Sequence, residues 1–181
     1  MKIRDLAPIS FIRRQIEEKM KDLSGEIRWE VARKIDSSRL PEMMGDPDWR
    51  VRCVVARKIS LERLPEMMGD ESASVRSAVA RRIDPSRLPE MMEDVAPEVR
   101  RVVVRKINPA HLPKMMSDPQ WWIRCRVADR VADRYLSSML MREISLTDGS
   151  SPTVEILLNR LLQKFKEYRS PLPHLQRFRL P

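Results

Sequence analysis

Arginine and aspartate are the residues whose types and spacing carry chemistry in this chain. An arginine follows a valine or isoleucine at Ile27-Arg28, Val51-Arg52, Val75-Arg76, Val99-Arg100 and Ile123-Arg124. An aspartate stands six residues before each arginine, at Asp22, Asp46, Asp70, Asp94 and Asp118. Counted at about 100° per residue from Val51, Val55, Ile59 and Ala56 fall at about 40°, 80° and 140°, so Arg52, at about 100°, lies inside the apolar arc of a helix. An unmatched guanidinium there is strongly unfavourable. The spacing predicts an Asp–Arg ladder joining each helix start to its own or the neighbouring repeat. Partner binding is the alternative use of these arginines.

A second basic set points the other way. Arg57 falls at about 240° on the same count, away from the core. Its column is Arg33, Arg57, Arg81 and Arg105, ending at Asp129, and beside it run Lys34, Lys58, Arg82, Lys106 and Arg130. Helices stacked at about 10 Å would turn four such doublets into a basic stripe about 30 Å long. One reading is a solvated, solubilising face. The other is a docking strip of Arg33, Lys34, Arg57, Lys58, Arg81, Arg82, Arg105 and Lys106, the best site candidate in the sequence.

Residues that usually supply metal or nucleophile chemistry are scarce: two Cys and two His in 181 residues. Cys53 and Cys125 share a column three repeats apart, about 30 Å at the same helix spacing and beyond disulfide reach. Free thiols suit a reducing cytoplasm. His111 and His174 have no cluster at ligand spacing, and no P-loop, GxSxG or glycine-rich phosphate cradle occurs. The expectation is a protein without enzymatic activity, metal or cofactor. Its formal charge of +9 is spread thinly, with 22 Lys/Arg against 18 Asp/Glu over residues 26–135, which gives a mild attraction to acidic partners. There is no apolar run of bilayer length and no signal peptide, so neither a membrane nor export is expected.

The elements that must position these columns repeat every 24 residues. Leu40-Pro41-Glu42-Met43-Met44 recurs at Leu64, Leu88 and, with Lys114 for the glutamate, at Leu112. A fixed period of this length means a solenoid or array. Within residues 46–69, Asp46-Pro47 is a helix-start signal, and Val51, Val55, Ala56 and Ile59 give one apolar face over about 12 residues. Asp36, Asp84 and Asn108 read as caps of a second element. Its proline would break an α-helix, so a short turn followed by a 3₁₀ turn through Met67-Met68 is predicted, with Gly45 and Gly69 as permissive backbone just beyond. Nothing alternates with period two, so no strand is expected.

Asp46-Pro47-Asp48-Trp49-Arg50-Val51-Arg52-Cys53-Val54-Val55-Ala56-Arg57, followed by Leu64 and the next Asp70, resembles the leucine-rich repeat variant family. Its unit reads D-x-x-x-x-V-R-x-x-V-A before a leucine-centred stretch. The resemblance covers about 115 of the 181 residues. It implies alternating α and 3₁₀ helices wound into a right-handed superhelix without β-structure. Some relatives carry an N-terminal four-cysteine iron–sulfur cluster, and some are associated with nitrogen fixation. This chain has no cysteine before Cys53, so the cluster is not carried over.

Other columns have two readings. The pairs Met43/Met44, Met67/Met68, Met91/Met92 and Met115/Met116 suit a stacking core for at least one member, with an exposed Met groove as the alternative. Arg39, Arg63 and Arg87 give way to His111 and Tyr135, a chemical break along the array. Trp29, Trp49, Trp121 and Trp122 suit inter-repeat packing, or a contact hot spot at 121–122.

The fold expected is an all-α, right-handed solenoid of about five 24-residue repeats with helical caps. Residues 1–24 form an N-terminal capping helix, with Ile9, Ile12, Ile16, Met20 and Leu23 on one face after Pro8. Residues 25–148 form the solenoid. Residues 149–168 form an amphipathic helix that caps the last repeat or, over 152–168, dimerises. Residues 169–181 are a proline-rich basic tail. The first functional expectation is binding of a protein with an acidic patch through the basic strip. Nucleic-acid binding through the same strip is the alternative. An accessory role in nitrogen fixation is implied only by the resemblance.

Overall fold

The 24-residue period appears as an α-helix followed by a 3₁₀ helix, repeated. The computed structural model describes residues 9–22 and 24–169. The proline-rich tail beyond Arg169, Pro8, and the side chains of Ile9, Ile12 and Leu23 lie outside the described residues.

The chain divides into two units, Met1–Val103 and Val104–Pro181. The first holds α1 (Ile9–Met20), α2 (Gly25–Lys34), η1 (Ser37–Met43), α3 (Trp49–Lys58), η2 (Leu64–Met67), α4 (Ala73–Arg82) and η3 (Pro85–Met91). Helix α5 (Pro97–Lys106) runs across the division. The second holds η4 (Pro109–Met115), α6 (Trp121–Arg130), η5 (Asp133–Tyr135), α7 (Leu136–Thr147) and α8 (Pro152–Arg169). Among the described residues there is no strand, and no helix is long and apolar enough to cross a membrane.

Local chemistry sets each boundary. Asp46 accepts the Asp48 amide and Asp48 accepts the Arg50 amide, both at 2.8 Å. Asp46 thus builds a turn, and the N-cap is Asp48. Helix α3 starts two residues later than Asp46-Pro47 suggests and spans 10 residues. It stops where Ile59 turns extended (ψ 155°) while its N–H still reaches the Val55 carbonyl at 2.8 Å. Ile35, Ile83 and Val131 end their helices the same way.

Asp36, Asp84 and Asn108 then cap the amides two residues on, as the sequence suggests. The 3₁₀ segments that follow are longer than one turn. Three span seven residues and contain Pro41, Pro89 or Pro113. In a short i→i+3 helix the missing proline N–H removes one bond and no continuous ladder. Where Ser60 and Leu61 replace the capping pair, the 3₁₀ helix shrinks to Leu64–Met67.

Gly45 and Gly69 are not left-handed. Among the described residues only Asp148 (φ 50°) and Gly149 (φ 82°) have positive φ, in the turn from α7 to α8. At Gly25 an added Cβ would meet the Asp48 carboxylate, which would then have to shift.

In the first unit Val51, Val55, Ala56, Ile59, Leu64 and Met67 are buried, and so are their equivalents Val75, Val79, Ala80, Ile83, Leu88 and Met91. In the second unit Ile123, Val127, Ala128, Val131, Leu136 and Met139 repeat the pattern. Met43, Met67, Met91 and Met115 are core, while Met44, Met68 and Met116 are half-buried. The first layer is less covered, because α1 packs on α2 yet leaves Ile27 40% exposed.

Candidate functional site

Two sets of basic residues leave these helices, and the structure uses them differently. The first set faces inward. Arg28 donates from Nε and Nη2 to the Asp46 carboxylate at 2.8 and 2.9 Å, and from Nη1 to the Asp22 carbonyl at 2.7 Å. Arg52 makes the same bidentate contact with Asp70 and reaches the Asp46 carbonyl. Arg76 does so with Asp94 and the Asp70 carbonyl, and Arg100 holds the Asp94 carbonyl at 2.7 Å. The expected ladder therefore exists, and it resolves the two options. The guanidinium takes the backbone oxygen of its own repeat's aspartate and the carboxylate of the next, eighteen residues on. Each aspartate also accepts an amide two residues ahead, as Asp70 does from Ser72 and Asp94 from Ala96.

The electrostatics follow from these contacts. Hydrogen bonds to Asp46, Asp70 and Asp94 hold Arg28, Arg52 and Arg76 still more firmly protonated than usual. Burial pushes the Asp94 carboxyl up. The Arg76 hydrogen bond, the Ala96 amide and the charges of Arg76 and Arg100 outweigh that and hold it below its ordinary value.

In the second unit Arg124 takes the Asp118 carbonyl at 2.7 Å, but its carboxylate comes from Glu143 on α7, at 2.5 and 3.3 Å. Glu143 is fully buried. The repeat register does not reveal it, because it stands nineteen residues on and its segment has lost the repeat pattern.

The predicted strip splits in two. Lys58 donates to the carbonyls of Arg33, Ala32 and Ile35 at 2.8, 3.2 and 3.3 Å, so it closes the open end of α2. Arg82 does this for α3, through the carbonyls of Ala56 and Ile59 at 2.9 and 2.7 Å. In the second unit Arg130 bonds the carbonyls of Val104 and Ile107, and Arg160 of α8 bonds those of Ala128 and Val131. Helix ends leave carbonyls without partners, and cations there are doubly favoured. That need was legible in the sequence; the reach to the preceding helix was not. Arg160 shows that α8 stands against α6 as a further repeat helix would.

Arg33, Lys34, Arg57, Arg81, Arg105 and Lys106 are exposed. Arg33 and Lys34 share Glu30, at 3.2 and 3.1 Å, and the Arg33 guanidinium lies 4.6 Å from the centre of the Trp29 ring. Arg57 and Arg105 make no hydrogen bond or ion pair among the described residues. In the second unit Asp129, next in the column, pairs with Arg126 at 3.3 Å. Arg39, Arg63 and Arg87 are each neutralised by a glutamate three residues on; after His111 the residue at that spacing is Lys114. Both cysteines are free. Among the described residues no group of three His, Cys, Asp or Glu could hold a metal ion.

Alternating α and 3₁₀ helices tied by buried Arg–carboxylate pairs define an all-helical repeat protein. No family model and no curated protein matches the chain. A solved structure described as "a leucine-rich repeat variant with a novel repetitive protein structural motif" is similar to it. The similarity holds at 28% identity and a TM-score of 0.71, over 92% of this chain and 68% of that one. This bears out the resemblance read from the repeat: the repeat region is of the leucine-rich repeat variant kind.

Proposed function

We propose that the chain is a non-enzymatic repeat scaffold that binds a protein with an acidic surface. The surface is the strip Arg33, Lys34, Arg57, Lys58, Arg81, Arg82, Arg105 and Lys106. The reading includes the unbroken 24-residue register of the sequence as a right-handed solenoid of about five repeats, and a cytoplasmic setting suited to free thiols. One observation carries it. Every inward arginine of the ladder is engaged, whereas Arg57 and Arg105 are exposed without a partner among the described residues. An exposed guanidinium offers five donors in a fork that matches carboxylate. Lys58 and Arg82 add field rather than donors, since carbonyls occupy them.

Carboxylates interleave with the strip, as Glu30 does beside Arg33. A protein can place its carboxylates clear of these and against the arginines, which an evenly charged phosphate backbone cannot, and that favours an acidic protein. The test is anisotropy of a labelled Glu-rich peptide and of a labelled DNA duplex at about 150 mM salt. Peptide binding weakened by R57E supports the proposal. Duplex binding with a steep salt slope, and none of the peptide, replaces it with nucleic-acid recognition.

Dimerisation through residues 152–168 is a second reading. Leu158, Leu162 and Phe165 are 44, 56 and 68% exposed and fall on one face of α8 at i, i+4 and i+7. Light scattering of the wild type and L162E checks it. A dimer that L162E dissociates supports the reading, and a monomeric wild type removes it.

A further inference from the structure

The repeats show which residues stacking requires and which it does not. The first position of the helices α2 to α6 is Gly25, Trp49, Ala73, Pro97 and Trp121, and the fifth is Trp29, Cys53, Ser77, Arg101 and Cys125. Small residues suffice at both positions, so neither Trp29 nor Trp49 is a demand of the packing. Both line one cavity of ≈ 500 Å³ between α2 and α3, together with Glu26, Glu30, Arg50, Cys53, Val54 and Arg57. Trp49 is 47% exposed. The two helices run side by side in one direction: the start of α3 lies against the start of α2, as Asp48 against Gly25 shows, and its end against the end of α2, as Lys58 on the Arg33 carbonyl shows. Arg57 therefore lies at one end of the groove and Glu26 at the other.

We infer that this groove takes one aromatic or large aliphatic side chain from an acidic segment of the partner, with a neighbouring carboxylate on Arg57. The inference rests on the reading of the strip as a docking surface and names where its anchor sits. A cavity of this size suits a side chain with its flanking backbone, and exposed tryptophan beside arginine is the composition of binding hot spots. A cationic guest is disfavoured, because Arg33 already covers the Trp29 ring and Arg57 lines the same cavity.

The test uses the full chain and two labelled Glu-rich peptides, identical except that one carries a single Phe where the other has Ala. The wild type is expected to bind the Phe peptide about tenfold more tightly. W49A places at this position the residue that α4 carries as Ala73, so the fold is retained, as circular dichroism checks, and the two peptides bind alike. R105E, in the other unit, weakens both peptides and leaves their ratio unchanged. A wild-type ratio near one, or a ratio that survives W49A, overturns the groove. If R105E still weakens both peptides in that case, the strip stands without it. If the ratio holds and R105E changes nothing, the groove stands and the strip falls. Binding of neither peptide overturns both. Tighter binding of oligo(dT) than of the Phe peptide, lost in W49A, overturns the groove in favour of base stacking.

Discussion

The inward arginines end differently in the two units. In the first, Arg28, Arg52 and Arg76 each meet an aspartate of the next repeat. In the second, Arg124 meets Glu143, on a helix that has left the repeat pattern. The longer side chain and the nineteen-residue spacing deliver the same carboxylate to the same guanidinium. An arginine at this position therefore requires a carboxylate to match it, and the repeat is one way of supplying it. The outer columns differ as well: the first unit presents Arg33, Arg57 and Arg81, while the second turns to Asp129 after Arg105.

The largest expected effect breaks the substituted pair. R124A strands a fully buried carboxylate and should cost about 3–5 kcal/mol in chemical denaturation. R124M/E143L removes both charges and should recover most of that loss. If R124A is mild, Glu143 is not the partner the ladder depends on. R76A should cost less, about 2–3 kcal/mol, since Asp94 keeps the Ala96 amide and some access to water. R82A, which uncaps the end of α3, should cost about 1 kcal/mol. R57E should stay within about 0.5 kcal/mol of wild type.

Acid sharpens the comparison further. Asp94 has a folded-state pKa below its ordinary value of 3.8. Its contribution is therefore present above that pH and is lost as pH falls through the lower folded value. Thermal midpoints of the wild type should decline below about pH 4, and those of D94N should decline less steeply.

Much of this was legible. The apolar spacing of Val51, Val55 and Ile59, the capping residues Asp36 and Asp84, and the inward position of Arg52 each state a physical demand that only one arrangement satisfies. Glu143, the partner of Arg124, was hidden, because a carboxylate outside the register has no column to mark it. Lys58 and Arg82 read as surface charge because a helical wheel gives direction but not reach, and four methylenes or a guanidinium carry the charge back to the preceding helix. The start of α3 slipped because Asp46 and Asp48 are both capping residues, and only the contact between Arg28 and Asp46 decides which one opens the helix. Trp29 and Trp49 were noted separately, but the cavity they share depends on how α2 and α3 lie together.

The central claim is that the inward arginines hold the fold while the outward ones are available to a partner. It is tested most directly by measuring the thermal midpoint and the affinity for a Glu-rich peptide on the same samples of R57E/R105E. The account predicts a midpoint within about 2 °C of wild type and an affinity at least about tenfold weaker. A collapsed midpoint, or unchanged affinity in a protein whose wild type binds the peptide, would contradict it.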